Sequence, residues 1–252
     1  MVNIDTVYQR VLALANKEQR GYITPQEFNL HANMAQMEIF EQYFYDIEQW
    51  RKKVGTEHEY SDAVQNIQEK IAFFQRYNIT ATATTSDNTQ GVNLGQFADL
   101  YKLGMIRVDY SNSTNITGLH KAEPITLAEL ETYEESPLAM GTPKRPNYIL
   151  HQQGNTSRNL FCTFYPQIGL TDMVKVSYIR KPLTVSWGYV VVTDKALHDP
   201  NPLKTTHFEL DISEEVELVY KILKLSGVNI KRDDIVSMAH DMELSKLQQE
   251  KQ

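Results

Sequence analysis

The stretch TPQEFNLHANMAQMEIFEQYFYDIEQWR, residues 24–51, carries the strongest structural signal of the sequence. It opens with the pattern of a helix start: Thr24 can cap, Pro25 suits the first helical position, and Glu27 can complete a capping box. Apolar side chains follow at helical spacing, namely Phe28, Ala32, Ala35, Met37, Ile39, Phe40, Tyr43, Phe44, Ile47 and Trp50. The pattern predicts a helix from Pro25 to about Arg51, about 40 Å long, with a face broad enough for several neighbours.

Two further helices are predicted beside this one, so that residues 1–78 form an N-terminal helical region. The apolar positions of the first helix recur every three or four residues, at Ile4, Val7, Val11 and Leu14. The other, from about Ser61 to Tyr77, buries Val64, Ile67, Ile71 and Phe74. This periodicity is typical of amphipathic helices that pack on one another.

Residues 79–210 are predicted as a central, mainly antiparallel β region with long loops and one short helix. The polar, threonine-rich segment 80–93 is interpreted as a long excursion loop. Alternating apolar residues predict strands at Met105–Tyr110, near Leu119, and at Asn147–Gln152, Leu160–Tyr165 and Met173–Arg180. In the last strand Val174, Val176 and Tyr178 should face inward. Gly154 and Asn155 suit a hairpin turn, and Thr126 with Glu129 opens the short helix, which ends near Ser136.

Residues 211–252 are predicted to form a helical hairpin that packs back on the N-terminal helices. Ser213 is the expected cap of its first helix and Gly227 its expected end. A last helix follows from about Arg232. Helices segregated from a mainly antiparallel β region define an α+β fold.

Composition excludes several functional classes. The net charge is −7, and no basic stripe of the kind used by tight nucleic-acid binders is visible. Cys162 is the only cysteine, so an internal disulfide or a multi-cysteine metal site is ruled out. A secretory signal and an apolar run of about 20 residues are both missing, so we expect folding in a cytoplasm and no membrane partner.

The motifs that might carry chemistry have simpler explanations. Residues 16–27 resemble a calcium loop, but Arg20 occupies a position that needs an oxygen ligand. The histidines (31, 58, 120, 151, 198, 207 and 240) form no metal-binding pattern, and His31 is expected at the core edge. Cys162 is expected as a small buried hydrophobe, and Trp187 as a cover of the core. Asp233 and Asp234 would repel DNA from a terminal helix-turn-helix. We therefore predict no catalytic, cofactor-binding or metal residues, and no enzyme.

Three patches carry a resemblance to a known group of proteins. They are residues 7–29 (VYQRVLALANKEQRGYITPQEFN), residues 176–182 (VSYIRKP) with Trp187, and residues 208–211 (FELD) with 219–228 (VYKILKLSGV). Together they resemble structural proteins of crAss-like phages and related podovirus-type phages that infect Bacteroidetes. The patches span most of the chain and contain no catalytic signature.

The resemblance implies a virion protein, assembled in the bacterial cytoplasm, that forms a homo-oligomeric cyclic ring at the portal vertex and joins capsid to tail. Its partners would be the portal protein and further neck or tail ring proteins, with genome DNA passing nearby without sequence-specific binding. Another virion component, such as a tail or minor capsid protein, and an unrecognised enzyme are the alternatives. The assembly interface is not identified, but the polar segment 80–93 and the tail after Arg232 are the expected contacts.

Overall fold

The computed structural model describes residues 1–16, 23–52, 58–86, 89–112, 116–136, 138, 140–152, 160–193, 195–201, 203–229 and 242. The described helices are α1 (Ile4–Asn16), α2 (Pro25–Lys52), α3 (His58–Ala72), α4 (Leu127–Glu135) and α5 (Glu215–Asn229). The described strands are β1 (Gln75–Ala81), β2 (Ala83–Ser86), β3 (Thr89–Asn93), β4 (Leu100–Asp109), β5 (His120–Lys121), β6 (Glu123–Pro124), β7 (Asn147–Gln152), β8 (Leu160–Tyr165), β9 (Met173–Arg180), β10 (Tyr189–Val192) and β11 (Lys195–His198). The chain is thus an α+β protein.

The chain divides into two compact units. Unit one comprises the described residues of Met1–Phe73 and Pro182–Gln252, and unit two comprises those of Phe74–Lys181. These boundaries differ from those of the three segments that the sequence predicts, 1–78, 79–210 and 211–252. Residues 182–210, assigned to the central β region from sequence, belong to the unit that contains α1, α2, α3 and α5.

Unit one is built around α2. The C-terminal helix α5 packs against α2 and α1, and α3 packs against α2. The fully buried side chains of this core include Ile4, Val7, Phe28, Ile39, Phe40, Phe208, Leu218 and Ile222. The predicted capping box is confirmed: Thr24 donates its backbone N–H and its hydroxyl to Glu27 Oε2, at 3.0 and 2.8 Å, and accepts the N–H of Glu27 at 3.2 Å.

Two predicted details of the N-terminal helices are wrong. Leu14 is exposed, and Ala15 occupies the buried position at the end of α1. The third helix ends at Ala72 rather than Tyr77, because the following residues pair with β9. The backbone carbonyl of Phe74 already accepts the N–H of Arg180 at 2.9 Å, so sheet pairing replaces the helical bonds there.

Unit two contains two sheets. One has the strand order β1-β9-β4-β5, and the other has the order β2-β3-β8-β7-β6. All described pairs are antiparallel except β6 with β7. The core of unit two is formed by inward-facing strand residues of both sheets, and it includes Val92, Ile106, Val108, Cys162, Phe164, Val174, Val176 and Tyr178. The predicted bounds of β7, β8 and β9 and the inward face of β9 are confirmed.

The predicted loop 80–93 is wrong. This segment forms the end of β1, all of β2 and all of β3, and β3 pairs with β8 through Gly91, Val92 and Asn93. Threonine has a high β propensity, so a threonine-rich segment can form strands without a continuous apolar pattern. The segment buries only a few side chains, among them Ala81 and Val92.

The C-terminal helix also differs from its predicted ends. A short 3-10 turn, Ile212–Glu214, lies immediately before α5. Asp211, rather than Ser213, caps this turn, because the Asp211 side chain accepts the N–H of Ser213 at 2.9 Å. Helix α5 continues through Gly227 to Asn229, although glycine inside a helix costs about 1 kcal/mol relative to alanine. The predicted second helix of the hairpin, from Arg232, lies outside the described residues.

Candidate interaction surfaces

A ladder of three side-chain amides on α2 binds an extended backbone segment, residues 183–187. Asn33 accepts the N–H of Val185 at 2.8 Å and donates to its carbonyl at 2.9 Å. Asn29 accepts the N–H of Trp187 at 2.7 Å and donates to its carbonyl at 3.3 Å. These side chains satisfy the backbone as a neighbouring strand would.

The third rung of this amide ladder links two backbone segments. Gln36 donates to the carbonyl of Leu183 at 2.8 Å and accepts the N–H of Glu209 at 3.3 Å. The carboxylate of Glu209 in turn accepts the N–H of Leu183 at 2.8 Å. Each amide immediately follows a fully buried position of α2 (Phe28, Ala32 and Ala35), so the ladder runs along the border of the core.

Trp187 ends the extended segment and is buried, as expected from sequence. Its indole N–H donates to Asp5 Oδ1 at 2.9 Å, and its ring lies 4.2 Å from that of Tyr8 between centroids. It also stacks with Tyr189 at 5.9 Å and with His198 at 5.6 Å between ring centroids. Because Tyr189 and His198 pair across β10 and β11, this aromatic cluster fixes the base of that hairpin.

The β10–β11 hairpin exposes an apolar face. Val190, Val192 and Leu197 share one side of the two strands with Lys195, and these three apolar side chains are 44%, 49% and 53% exposed. The hairpin is a two-stranded sheet by itself, and such hairpins are marginally stable in water without support. The aromatic cluster and the bond from Asp199 N–H to the carbonyl of Gly188, at 2.9 Å, supply support at the base. Exposed apolar patches on a supported scaffold are typical of protein interaction sites.

The buried polar groups of unit one serve packing. Lys221, 2% exposed, bonds Glu38 at 2.9 Å and lies 3.7 Å from Glu217. His31 is buried at the core edge, as expected, and burial holds its pKa below the usual value although the nearby Glu27 carboxylate partly offsets this effect. Burial also raises the pKa of Tyr43, because the ionised phenolate would lose its hydration.

Unit two contains an apolar cleft beside α4, with a volume of about 50 Å³, between Leu130, Tyr133, Met140 and Pro166. Typical small-molecule sites measure roughly 300–1,000 Å³, so the cleft has the size for an apolar side chain rather than a cofactor.

Cys162, also in unit two, is fully buried as expected, and burial raises the pKa of its thiol well above its usual range.

The two segments expected from sequence as assembly contacts have different outcomes. Segment 80–93 is part of the sheets of unit two, and the tail after Arg232 lies outside the described residues. Sequence reasoning missed the amide ladder and the β10–β11 hairpin. The run of three valines, Val190–Val192, could have pointed to a strand, but its exposure on both faces has no sequence signal.

Within the described parts of the chain, no cluster of three histidine, cysteine, aspartate or glutamate side chains could hold a metal ion. Among the same residues, no helix is both long enough and apolar enough to cross a bilayer. No protein-family model matches the chain, and no curated protein is significantly similar to it.

Proposed function

We propose that the chain is a virion structural protein that assembles into a ring at the portal vertex of a tailed phage and connects capsid to tail. The observation that carries the proposal is the hairpin β10–β11, which exposes apolar side chains and is held at its base by the aromatic cluster. Burial of such side chains by a partner protein is favourable. The sequence resemblance to structural proteins of crAss-like phages supplies the kind of partner: copies of the same chain, the portal protein and further neck or tail rings.

The architecture of unit one suits an assembly role. The amide ladder and the aromatic cluster hold the segment that leads into β10 at many points, so the hairpin is presented without a large ordering cost on binding. Specific complexes form more tightly when the contact surface is preorganised in this way. The ring would act through geometry, by self-association with cyclic symmetry and by seating the next component.

The size of the expected contact follows from the exposure of the hairpin. Full burial of a valine or leucine side chain is worth about 1.5–3 kcal/mol, and the three side chains Val190, Val192 and Leu197 are about half exposed. Covering them would contribute about 1 kcal/mol each, or about 3 kcal/mol in total. A loss of that amount weakens one contact roughly 100-fold.

The test is the mass of the protein in solution by light scattering, alone and mixed with the portal protein. A ring-sized species in either sample supports the proposal, and a strict monomer in both overturns it. The triple variant Val190→Thr/Val192→Thr/Leu197→Thr should then require a higher concentration to assemble. Ile212→Thr, which changes another exposed apolar side chain of unit one, is the matched control and should assemble like the wild type.

A further inference from the structure

A row of three positive charges crosses the sheet β1-β9-β4-β5. Arg107 on β4 lies directly opposite Lys175 on β9, and it also lies opposite Lys121 on β5. The neighbouring positions Val174 and Val108 are fully buried, so the charged side chains lie on the face away from the core. Adjacent strands are about 4.8 Å apart, so the row spans about 10 Å.

This basic row is electrostatically unfavourable in the isolated chain. Like charges directly opposite each other destabilise a sheet, and the row contains two such pairs. No described carboxylate forms an ion pair with these three side chains. Arg107 contacts the ring of Tyr77 at 5.5 Å. Asp109, on the same strand face, accepts the N–H of Ser111 at 3.0 Å. The basic row therefore has unused capacity for an anionic partner.

Helix α4 has an unfavourable arrangement of negative charge near its C-terminus. Leu127, Glu131 and Glu135 are spaced four residues apart, so they form one exposed stripe along it. The last turn of α4 contains no basic residue. Negative side chains near a helix C-terminus are unfavourable, because the helix dipole is negative there. Glu131 and Glu135 are about 6 Å apart along the axis, which is about 1 Å more than the spacing of neighbouring strands in the basic row.

We propose that the basic row of one copy docks the acidic face of α4 from a second copy, with Leu127 as the apolar anchor of the contact. The occupant follows from charge complementarity, because docking relieves the repulsion within the row and the unfavourable charge at the end of α4 together. Two different surfaces of the same chain make a head-to-tail contact, which closes into a ring when the rotation permits. This inference rests on the proposed assembly of identical copies.

The experiment reverses each surface separately and then both together. Arg107→Glu/Lys175→Glu makes the sheet face acidic, and Glu131→Lys/Glu135→Lys makes the helix face basic. Each pair should raise the concentration of half-assembly roughly tenfold or more, because attraction becomes repulsion. The quadruple variant restores opposite charges and should assemble near the wild-type concentration. Assembly of the wild type should also weaken between about 50 and about 500 mM NaCl.

The control is Lys144→Glu/Arg145→Glu, which changes the net charge by the same amount as Arg107→Glu/Lys175→Glu, at two exposed positions of unit two, and should leave assembly unchanged. Circular dichroism of each variant checks folding. If the wild type assembles and all variants assemble equally, or if the quadruple variant stays impaired, the contact is refuted while the ring survives. If the wild type never assembles, the ring itself fails. The wild type and Arg107→Glu/Lys175→Glu are also tested for binding to a fluorescent DNA duplex. If the wild type binds the duplex and the variant does not, while the variant still assembles, the contact is refuted and the basic row is a DNA-binding face.

Discussion

Replacement of Asn33 by alanine should lower the free energy of unfolding by about 2–4 kcal/mol. Asn33 makes two hydrogen bonds to the backbone of Val185, at 2.8 and 2.9 Å. Each bond contributes about 1 kcal/mol net, and a buried partner left without a bond costs up to about 3 kcal/mol. The Val185 side chain is buried and Asn33 is half-buried, so water replaces the lost bonds only in part.

The variant Asn33→Asp removes the hydrogen bond that Asn33 donates to Val185 and keeps the one that it accepts. The aspartate still accepts the N–H of Val185, but its second oxygen faces the carbonyl of Val185 where the amide donated. We expect a loss similar to that of alanine at pH 7. Because the carbonyl disfavours the carboxylate, the pKa of the new side chain should be raised in the folded state, and the deficit should shrink at low pH, where the protonated form donates.

The assay is urea unfolding at about pH 7 and about pH 4, with free energies from linear extrapolation. Gln49→Ala, at an exposed position on the same helix, is the control for helix propensity and should stay within about 0.5 kcal/mol of the wild type. If Asn33→Ala also stays within that range, the amide ladder does not hold the extended segment and the reasoning is refuted.

Three further predictions concern the cap of α2, the buried thiol and a tight strand contact. The bonds from the Thr24 backbone N–H and hydroxyl lower the pKa of Glu27, so Glu27→Gln should be less stable than the wild type at pH 7. That difference should vanish as the pH falls through the lowered pKa of Glu27, in thermal melts across pH; a constant gap would contradict it. Cys162 should react with a thiol reagent at pH 8 only in denaturant, and rapid reaction in the native protein would show that the thiol is accessible. Gly91→Ala should destabilise the fold by about 1–3 kcal/mol in chemical denaturation, because its Cβ would lie 2.3 Å from the carbonyl oxygen of Cys162; unchanged stability would refute the close approach.

Local sequence signals predicted the elements that contain their own pattern. The start of α2 follows from Thr24 and Glu27, which lie three residues apart and bond each other. The face of β9 follows from alternation, since Val174 and Val176 are buried and Lys175 is not. In both cases the decisive contacts, or the decisive burial pattern, lie within a few residues of each other.

Elements that depend on distant partners could not be predicted in the same way. Within segment 80–93, the end of β1 pairs with β9 and β3 pairs with β8, both more than 60 residues away in sequence, whereas β2 pairs with β3 in a local hairpin. The amide ladder joins Asn33 to Val185, which are 152 positions apart. No periodicity encodes such a pairing. The sequence contains only a local indication of the ladder, namely that each of its side-chain amides directly follows a fully buried residue at the border of the apolar face of α2.

Assembly into a ring can be observed by negative-stain electron microscopy of the purified protein, alone and incubated with the portal protein. We expect closed particles whose class averages have cyclic symmetry in at least one of the two samples. Isolated single subunits in both samples, at concentrations where the portal itself forms intact rings, would contradict it.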